Sequence, residues 1–280
     1  MNLRKRIEDA ISLDEIGIAS ARCGSVILHS AFQMIYAKDG DTLRAVTTQG
    51  FVRPHFRGRE LDAGTFFSGL PQRERCFAEQ LAIALHLYNH PHVEVTGLDH
   101  FVALGAAACA DATTPDFFAD QLGEVAGLSF EEVRIVLGVT EPADHREKSV
   151  VTKFCDQGYS LAIGPAKGEQ PPLDALKHFS PAIARIDGRW FQRIAGDEGA
   201  LRLLSHLVSD LQSRGTAVMI DMIETADQLF AAVSLGADYF QGFLLSRPQL
   251  AGMPVTDEAE LPLDKFREKS ADIIPLFRGG

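Results

Sequence analysis

The sequence lacks several features that would assign it to a common class. No apolar run approaches the roughly 18 to 20 residues of a transmembrane helix, and residues 1–15 are charged throughout, without the apolar core of a secretory signal. Lys and Arg number 27 against 38 Asp and Glu, for a net charge of -11, which argues against a nucleic-acid-binding surface. We therefore expect a cytoplasmic protein with no membrane span and no nucleic acid as partner.

Cysteine is also scarce, with only four residues: Cys23, Cys76, Cys109 and Cys155. None of them forms a CxxC pair, and their spacings suggest no disulfide framework. Isolated cysteines in apolar surroundings are usually buried thiols in a reducing compartment. The sequence therefore predicts neither disulfide bonds nor a cysteine-based metal centre.

What the chain has is an alternation of strand-like and helical patterns, in a composition that is 46% hydrophobic. The strand-like runs lie at residues 25–36, 43–52, 93–104, 133–139, 159–164, 182–187, 216–223 and 238–245, and the helical patterns at 67–87, 116–126, 143–157, 172–178, 197–213 and 225–235. Repeated strand–helix units indicate a parallel sheet covered by helices. Six or more units in about 250 residues favour an α/β, TIM-like (β/α)8 barrel over an open doubly wound sheet.

The two ends of the chain differ from this pattern. Apolar residues recur at helical spacing over residues 3–12, which predicts a helical lead-in comprising residues 1–24. Residues 253–280 mix charges, prolines and a terminal Arg-Gly-Gly, which is typical of an appended extension. Residues 25–252 are then the barrel domain.

A cluster of motifs near the end of the barrel suggests a family. Residues 215–248 contain, in order, Glu224-Thr225, Gln228, Leu235-Gly236, Gln241-Gly242-Phe243 and Pro248. This order resembles the last quarter of the EAL domain, the family that hydrolyses the bacterial messenger cyclic di-GMP. The resemblance extends over roughly residues 25–250. It implies a barrel of the EAL type, whose first strand runs antiparallel to the others.

The resemblance also implies where a two-metal catalytic site would lie, and most of its ligands are missing. Family carboxylates or an Asn are replaced by Gln49, Ala106, Gly138, Gly164 and Pro165, and the family's catalytic Lys is replaced by Arg185. Asp221 alone keeps a carboxylate, on a shorter side chain than the family's Glu. Small divalent cations require several oxygen ligands. We therefore expect a degenerate domain with no catalytic residues, no metal site and no cofactor.

Residues that the family uses around the nucleotide are retained, namely Gln33, Arg53, Glu224, Gln241 and Pro248. The resemblance implies that they contact cyclic di-GMP. The alternative is that they persist for folding, with Arg53 paired to a carboxylate, Gln241 capping a strand end and Pro248 shaping a turn. The sequence leaves both interpretations open.

Three functional hypotheses follow from the resemblance. In the first, the chain is a catalytically inactive EAL-domain regulator that binds an unidentified protein partner, with cyclic di-GMP as a candidate ligand and a homodimer as a candidate assembly. In the second, it is an active phosphodiesterase whose Mg²⁺ or Mn²⁺ is held by atypical ligands such as Glu169 or Asp187. In the third, Arg53, Arg185 and Asp221 serve a different barrel enzyme.

A histidine pattern lies outside these motifs. His86 and His90 are four residues apart, and His92 follows, which suggests a metal-binding helix face. No Glu accompanies them as in HExxH, and Pro91 ends the helix at this point. We therefore predict a cluster of surface histidines without a metal.

Overall fold

The computed structural model describes residues 3–93, 98–125, 135–140, 142, 144–165, 169–253 and 258–271. Its helices are α1 (Leu3–Glu8), α2 (Ala63–Ser68), α3 (Gln72–Asn89), α4 (Ala106–Cys109), α5 (Thr114–Val125), α6 (His145–Asp156), α7 (Leu173–Phe179), α8 (Gly188–Ile194), α9 (Glu198–Ser213), α10 (Ala226–Ser234) and α11 (Asp264–Ala271), with a 3-10 turn at His90–His92. Its strands are β1 (Ile11–Leu13), β2 (Ala19–Cys23), β3 (Val26–Asp39), β4 (Thr42–Phe56), β5 (Arg59–Glu60), β6 (Asp99–Ala103), β7 (Ile135–Thr140), β8 (Ser160–Gly164), β9 (Ile183–Ile186), β10 (Ala217–Ile220), β11 (Tyr239–Phe240), β12 (Gln249–Leu250) and β13 (Glu260–Pro262).

Eight of these strands close into a barrel. Around it they follow the order β3, β11, β10, β9, β8, β7, β6 and β4, and β4 pairs back to β3. β3 is antiparallel to both of its barrel neighbours, whereas the pairs from β4 through β6 to β11 are parallel. The predicted (β/α)8 barrel with an antiparallel first strand is therefore confirmed.

The strands alternate between two cores because their side chains have a period of two residues. One set of side chains meets inside the barrel: Ile35, Phe101, Val136, Ala162, Ile183 and Met219. The other set, such as Leu137, Ile163 and Val218, packs between the strands and the surrounding helices. The residues two positions further along these strands also point inward and lie at the carboxyl end of the barrel. They are Gly138, Gly164, Arg185, Asp221 and Gln241.

The N-terminal region is not the helical segment that its pattern predicted. α1 ends at Glu8, and residues 11–13 and 19–23 form β1 and β2, which extend the sheet from β3. β2 buries Ala19, Ala21 and Cys23 alternately, and this period of two is the signal that the helical interpretation of residues 1–24 missed. The division of the chain into three segments stays a prediction.

The long helix predicted over residues 67–87 is divided into α2 and α3. α2 ends at Ser68 with Gly69 as its C-cap, and α3 begins after Pro71, which has an extended ψ of 148°. Pro71 lacks a backbone N–H and starts a helix readily, so it separates the two segments. Among the described residues, no helix has both the length and the apolar character to cross a bilayer.

Candidate functional site

A cavity of about 520 Å³ opens at the carboxyl end of the barrel. Six of the predicted site residues line it: Gln33, Gln49, Arg185, Asp221, Glu224 and Gln241. Its size falls within the roughly 300 to 1,000 Å³ of ligand-binding pockets in general. Active sites of (β/α)8 barrels lie at this end, so we treat the cavity as the candidate functional site.

An ion pair occupies one side of the cavity. Arg185, at the end of β9, donates from Nη2 to Oδ2 of Asp221 over 2.9 Å, and the backbone N–H of Gly188 donates to Oδ1 of Asp221 over 2.7 Å. The two side chains are only 23% and 12% exposed. Both carboxylate oxygens therefore have a donor, and the carboxylate charge is compensated within the protein.

The local backbone is built to bring these groups together. A Cβ on Gly188 would overlap the backbone carbonyl of Asp221, so α8 approaches this closely because residue 188 has no side chain. Met222, directly after Asp221, has φ of 51°, a left-handed conformation that is uncommon for a residue other than glycine. Strained backbone of this kind clusters at functional sites.

The space beside the ion pair is filled by apolar and aliphatic groups. A Cβ on Gly164 would lie 2.9 Å from Cβ of Arg185, and a Cβ on Gly138 would lie 2.5 Å from Cζ of Phe101. The Arg185 guanidinium lies 5.6 Å from the centroid of the fully buried Phe101 ring. We call Phe101, Arg185 and Asp221 the mouth cluster. Within it, Phe101 occupies the space that a side chain at position 138 would need, and Arg185 the space that one at position 164 would need.

The remaining predicted metal positions do not supply carboxylates. Gln49 is a buried neutral amide, Pro165 is half-buried, and Ala106 is the first residue of α4. The amino end of α4 is already bound to Glu79 of α3, whose Oε2 accepts a 2.7 Å bond from the N–H of Ala108. Burial raises the pKa of Glu79.

Nearby acids do not replace the missing ligands. Asp187 is the N-cap of α8, its Oδ1 accepting from the N–H groups of Arg189 and Trp190, and Glu169 is exposed. Within the described ranges, no three His, Cys, Asp or Glu side chains converge to hold a metal ion. Glu141, the acid that follows β7 in the sequence, and residues 166–168, which follow β8, lie outside those ranges. The described residues therefore do not fit a pair of divalent cations, because these require several oxygen ligands.

The retained polar residues of the cavity are engaged to different extents. Gln33 donates from Nε2 to the carbonyl of Ser246 over 2.9 Å, which ties β3 to the segment after β11. Glu224 is exposed, and Thr225 and Gln228 beside it form the capping box of α10. Gln241 is only 4% exposed, and its buried Nε2 has no hydrogen-bond partner among the residues that the structure describes. A buried amide N–H without a partner carries a desolvation cost that a ligand acceptor would relieve.

Two of the predicted ligand residues lie outside the cavity lining. Arg53 is on the same face of β4 as Gln49, but its Nε is 3.6 Å from Oε1 of Glu60. This is the carboxylate pairing that the folding interpretation of Arg53 anticipates. Pro248 is half-buried immediately before β12, which pairs with β3.

Sequence reasoning missed Arg189, which lines the cavity from the first turn of α8 and is exposed. It also missed Phe101, which belongs to the barrel interior. The sequence could have indicated Arg189, because it follows Asp187 by two residues at the point where β9 has just ended. A positively charged residue directly after a barrel strand lies at the carboxyl end of the barrel, where active sites form.

The prediction that the histidines lie on the surface was wrong for His86 and His90. His86 and His90 are 7% and 8% exposed, and His100 of β6, 1% exposed, joins them with its ring centroid 4.5 Å from that of His90. His86 Nδ1 lies 2.8 Å from Ser30 Oγ. Desolvation lowers the pKa of His86 and of His90 to about 4, so both rings are neutral. They are buried because α3 packs this face against the β3–β4 hairpin.

Comparison with known proteins adds a family match to this geometry. The family model described as the EAL domain matches residues 76–248. No curated protein matches the chain in sequence.

Three solved structures share the fold at low identity. BlrP1 of Klebsiella pneumoniae with calcium and cyclic di-GMP has a TM-score of 0.68 and 20% identity, covering 81% of this chain and 57% of that one. BlrP1 with FMN and cyclic di-GMP and no metal ions has a TM-score of 0.64 and 18% identity, covering 81% and 54%. The FimX EAL domain of Pseudomonas aeruginosa bound to cyclic di-GMP has a TM-score of 0.64 and 19% identity, covering 79% and 90%. The chain thus spans under two thirds of BlrP1 but most of the FimX domain.

Proposed function

Because the chain belongs to the EAL domain family, we propose that it is a non-hydrolysing member that regulates bacterial second-messenger signalling by binding. Its barrel mouth is the ligand site in this proposal, and its output is the engagement of a protein partner. Hydrolysis of a phosphodiester by two metals needs a clamp of several oxygen ligands, and the described residues of this mouth do not form one.

The observation that carries the proposal is the Arg185–Asp221 ion pair. Asp221 is the one predicted metal position that still has a carboxylate, and its two oxygens accept from Arg185 and from the N–H of Gly188. A cation approaching Asp221 would have to displace a guanidinium that is already hydrogen-bonded and largely shielded from water. Arg retains its proton under all ordinary conditions, so Arg185 always brings a positive charge to Asp221 and does not act as a base.

Cyclic di-GMP is the ligand that we propose for the cavity. Two observations support it: the barrel has the fold of proteins crystallised with this nucleotide, and one of those complexes was formed with no metal ions. The cavity offers about 520 Å³ and is lined by the amide side chains of Gln33, Gln49 and Gln241. Binding without turnover would make the barrel a receptor.

A receptor that does not turn over its ligand transmits the bound state to another molecule. We therefore propose a protein partner, and a second copy of the chain is one candidate for it. Size-exclusion chromatography with light scattering, with and without cyclic di-GMP, distinguishes a homodimer from a monomer that awaits a different protein.

The test of the proposal is a hydrolysis assay on the purified chain. Cyclic di-GMP is incubated with Mg²⁺ and, separately, with Mn²⁺, and the linear product is followed by chromatography. We expect no turnover above a no-protein control. Turnover that Asp221→Asn abolishes would show instead an active phosphodiesterase with atypical metal ligands, and the proposal would then be wrong.

A further inference from the structure

The cavity contains two arginine side chains that are engaged very differently. Arg185 is 23% exposed and donates to Asp221. Arg189 is exposed, lines the same cavity from the start of α8, and makes no side-chain hydrogen bond or ion pair within the described part of the chain. One cation is therefore neutralised within the fold, and the other is available to a ligand.

We propose that Arg189 and Arg185 form a phosphate-binding pair, which supplies without metal the positive charge needed to hold a phosphodiester in the cavity. This inference rests on the proposed function and identifies the charge that its ligand site uses. The guanidinium group carries a permanent charge and five N–H donors in a planar arrangement that matches phosphate oxygens. Arg189 contacts the phosphodiester first, and Arg185 turns part of its hydrogen bonding from Asp221 to it.

The acids of the cavity decide how strongly this pair attracts an anion. Asp187 is committed to the first N–H groups of α8, and Glu224 is exposed at the rim. Asp221 is the acid in direct contact with Arg185, so it competes with any phosphate for the same donors. Removing the charge of Asp221 should therefore strengthen the binding of an anion.

Loss of the Asp221 carboxylate should change phosphate affinity in the opposite direction from loss of a carboxylate in a metal-dependent site. Where a carboxylate holds a divalent cation that in turn holds the phosphate, loss of the carboxylate weakens phosphate binding. Where the carboxylate neutralises the phosphate-binding arginine, loss of the carboxylate strengthens it. Asp221→Asn thus separates the two arrangements by the direction of a single change.

The uncharged lining indicates a ligand larger than a free anion. Phe51 and Phe243 add aromatic lining to the cavity, and Gln241 lines it with an amide side chain. Aromatic side chains stack on nucleobases, and each such contact contributes roughly 1–3 kcal/mol in proteins that bind single strands. A phosphodiester flanked by bases, as in a cyclic dinucleotide, matches this combination better than inorganic phosphate does.

The experiment is an isothermal titration of the full chain with cyclic di-GMP in buffer containing EDTA. We expect binding to persist without metal and to weaken as salt is raised, because the attraction is ionic. Arg189→Ala should weaken affinity roughly threefold to tenfold, and Asp221→Asn should strengthen it by a similar factor. Arg202→Ala, on the outer helix α9, removes the same charge away from the mouth and should leave affinity unchanged.

Each outcome either supports or overturns the pair. Loss of binding in EDTA, a weaker Asp221→Asn variant, or an Arg189→Ala variant that behaves like Arg202→Ala would overturn it. Equal affinity for inorganic phosphate, used as a second titrant, would overturn the assignment to a dinucleotide. The hydrolysis assay tests the proposed function, which turnover of cyclic di-GMP with Mn²⁺ would contradict. A chain that neither hydrolyses nor binds the nucleotide would contradict the arginine pair.

Discussion

Restoring a carboxylate at position 138 should fail to restore a metal ligand, because Phe101 occupies the space that the new side chain needs. Family resemblance alone suggests the opposite, since it places a metal-binding Glu at this position. The structure shows that Gly138 lies against the Phe101 ring inside the barrel, where Ile35, Val136 and Ala162 belong to the same core. Gly138→Glu therefore tests whether the site has only lost its ligands or has also been filled.

The magnitude follows from the contact geometry. A Cβ on Gly138 would lie 2.5 Å from Cζ of Phe101, whereas favourable carbon–carbon contacts lie at about 3.5–4.0 Å. Phe101 is 0% exposed, so its ring has no solvent-filled space to enter. Overpacking a core of this kind costs about 1–3 kcal/mol. For a chain of this size, that corresponds to a fall in Tm of roughly 2–5 °C.

The assay is urea unfolding of Gly138→Glu, Phe101→Ala and the double variant, together with Mn²⁺ titration of each. Phe101→Ala alone should cost about 3–5 kcal/mol, and the double variant should cost less than the sum because the smaller residue makes room for the Glu. Gly196→Glu is the matched control, since nothing lies within 4 Å of a Cβ at that exposed position. An unchanged stability of Gly138→Glu, with Mn²⁺ bound, would refute the filled-site interpretation.

Three further predictions concern the surroundings of the site. The pKa values of His86 and His90 are about 4 in the fold and near 6.5 in the unfolded chain, so the free energy of unfolding should be highest above about pH 6.5 and fall towards pH 4. This fall is at most about 3 kcal/mol per ring. It should be smaller in His90→Gln when unfolding is measured as a function of pH. Gly50→Ala should destabilise the fold by about 1–3 kcal/mol in urea, because its Cβ would lie 2.6 Å from Cγ of His86; a stability equal to wild type would contradict this packing. Glu79→Ala should cost about 1–2 kcal/mol in the same assay, because the N–H of Ala108 loses its acceptor; no measurable loss would show that the bond contributes nothing.

The mouth cluster gives the substitutions at this site a common physical account. Gly164 leaves room for the Arg185 side chain, Arg185 neutralises Asp221, and Gly188 lets α8 donate to the same carboxylate. These features depend on one another, because a Cβ at position 164 would crowd Arg185 and a neutral residue at position 185 would leave the Asp221 carboxylate without its cation. The two glycines and the Arg185–Asp221 ion pair are thus parts of one arrangement.

Much of the fold follows from residue type and period alone. Each strand-like run from residues 25–36 to 238–245 overlaps an observed strand, because buried parallel strands leave continuous apolar segments. Motif order was enough to indicate the family and to identify Gly138 and Gly164 as positions without ligand atoms. These properties are local: each depends on a residue and its near neighbours along the chain.

The contacts between distant residues were decided by the closed barrel. Arg185 and Asp221 are 36 residues apart and meet because their strands are adjacent, and His86 is buried because α3 packs it over Gly50. The sequence left both a nucleotide contact and a carboxylate pairing open for Arg53, and in the fold its Nε lies 3.6 Å from Oε1 of Glu60 across the turn that follows β4. Spacing along the chain shows which face a side chain occupies, whereas its partner depends on which strands and helices become neighbours when the sheet closes.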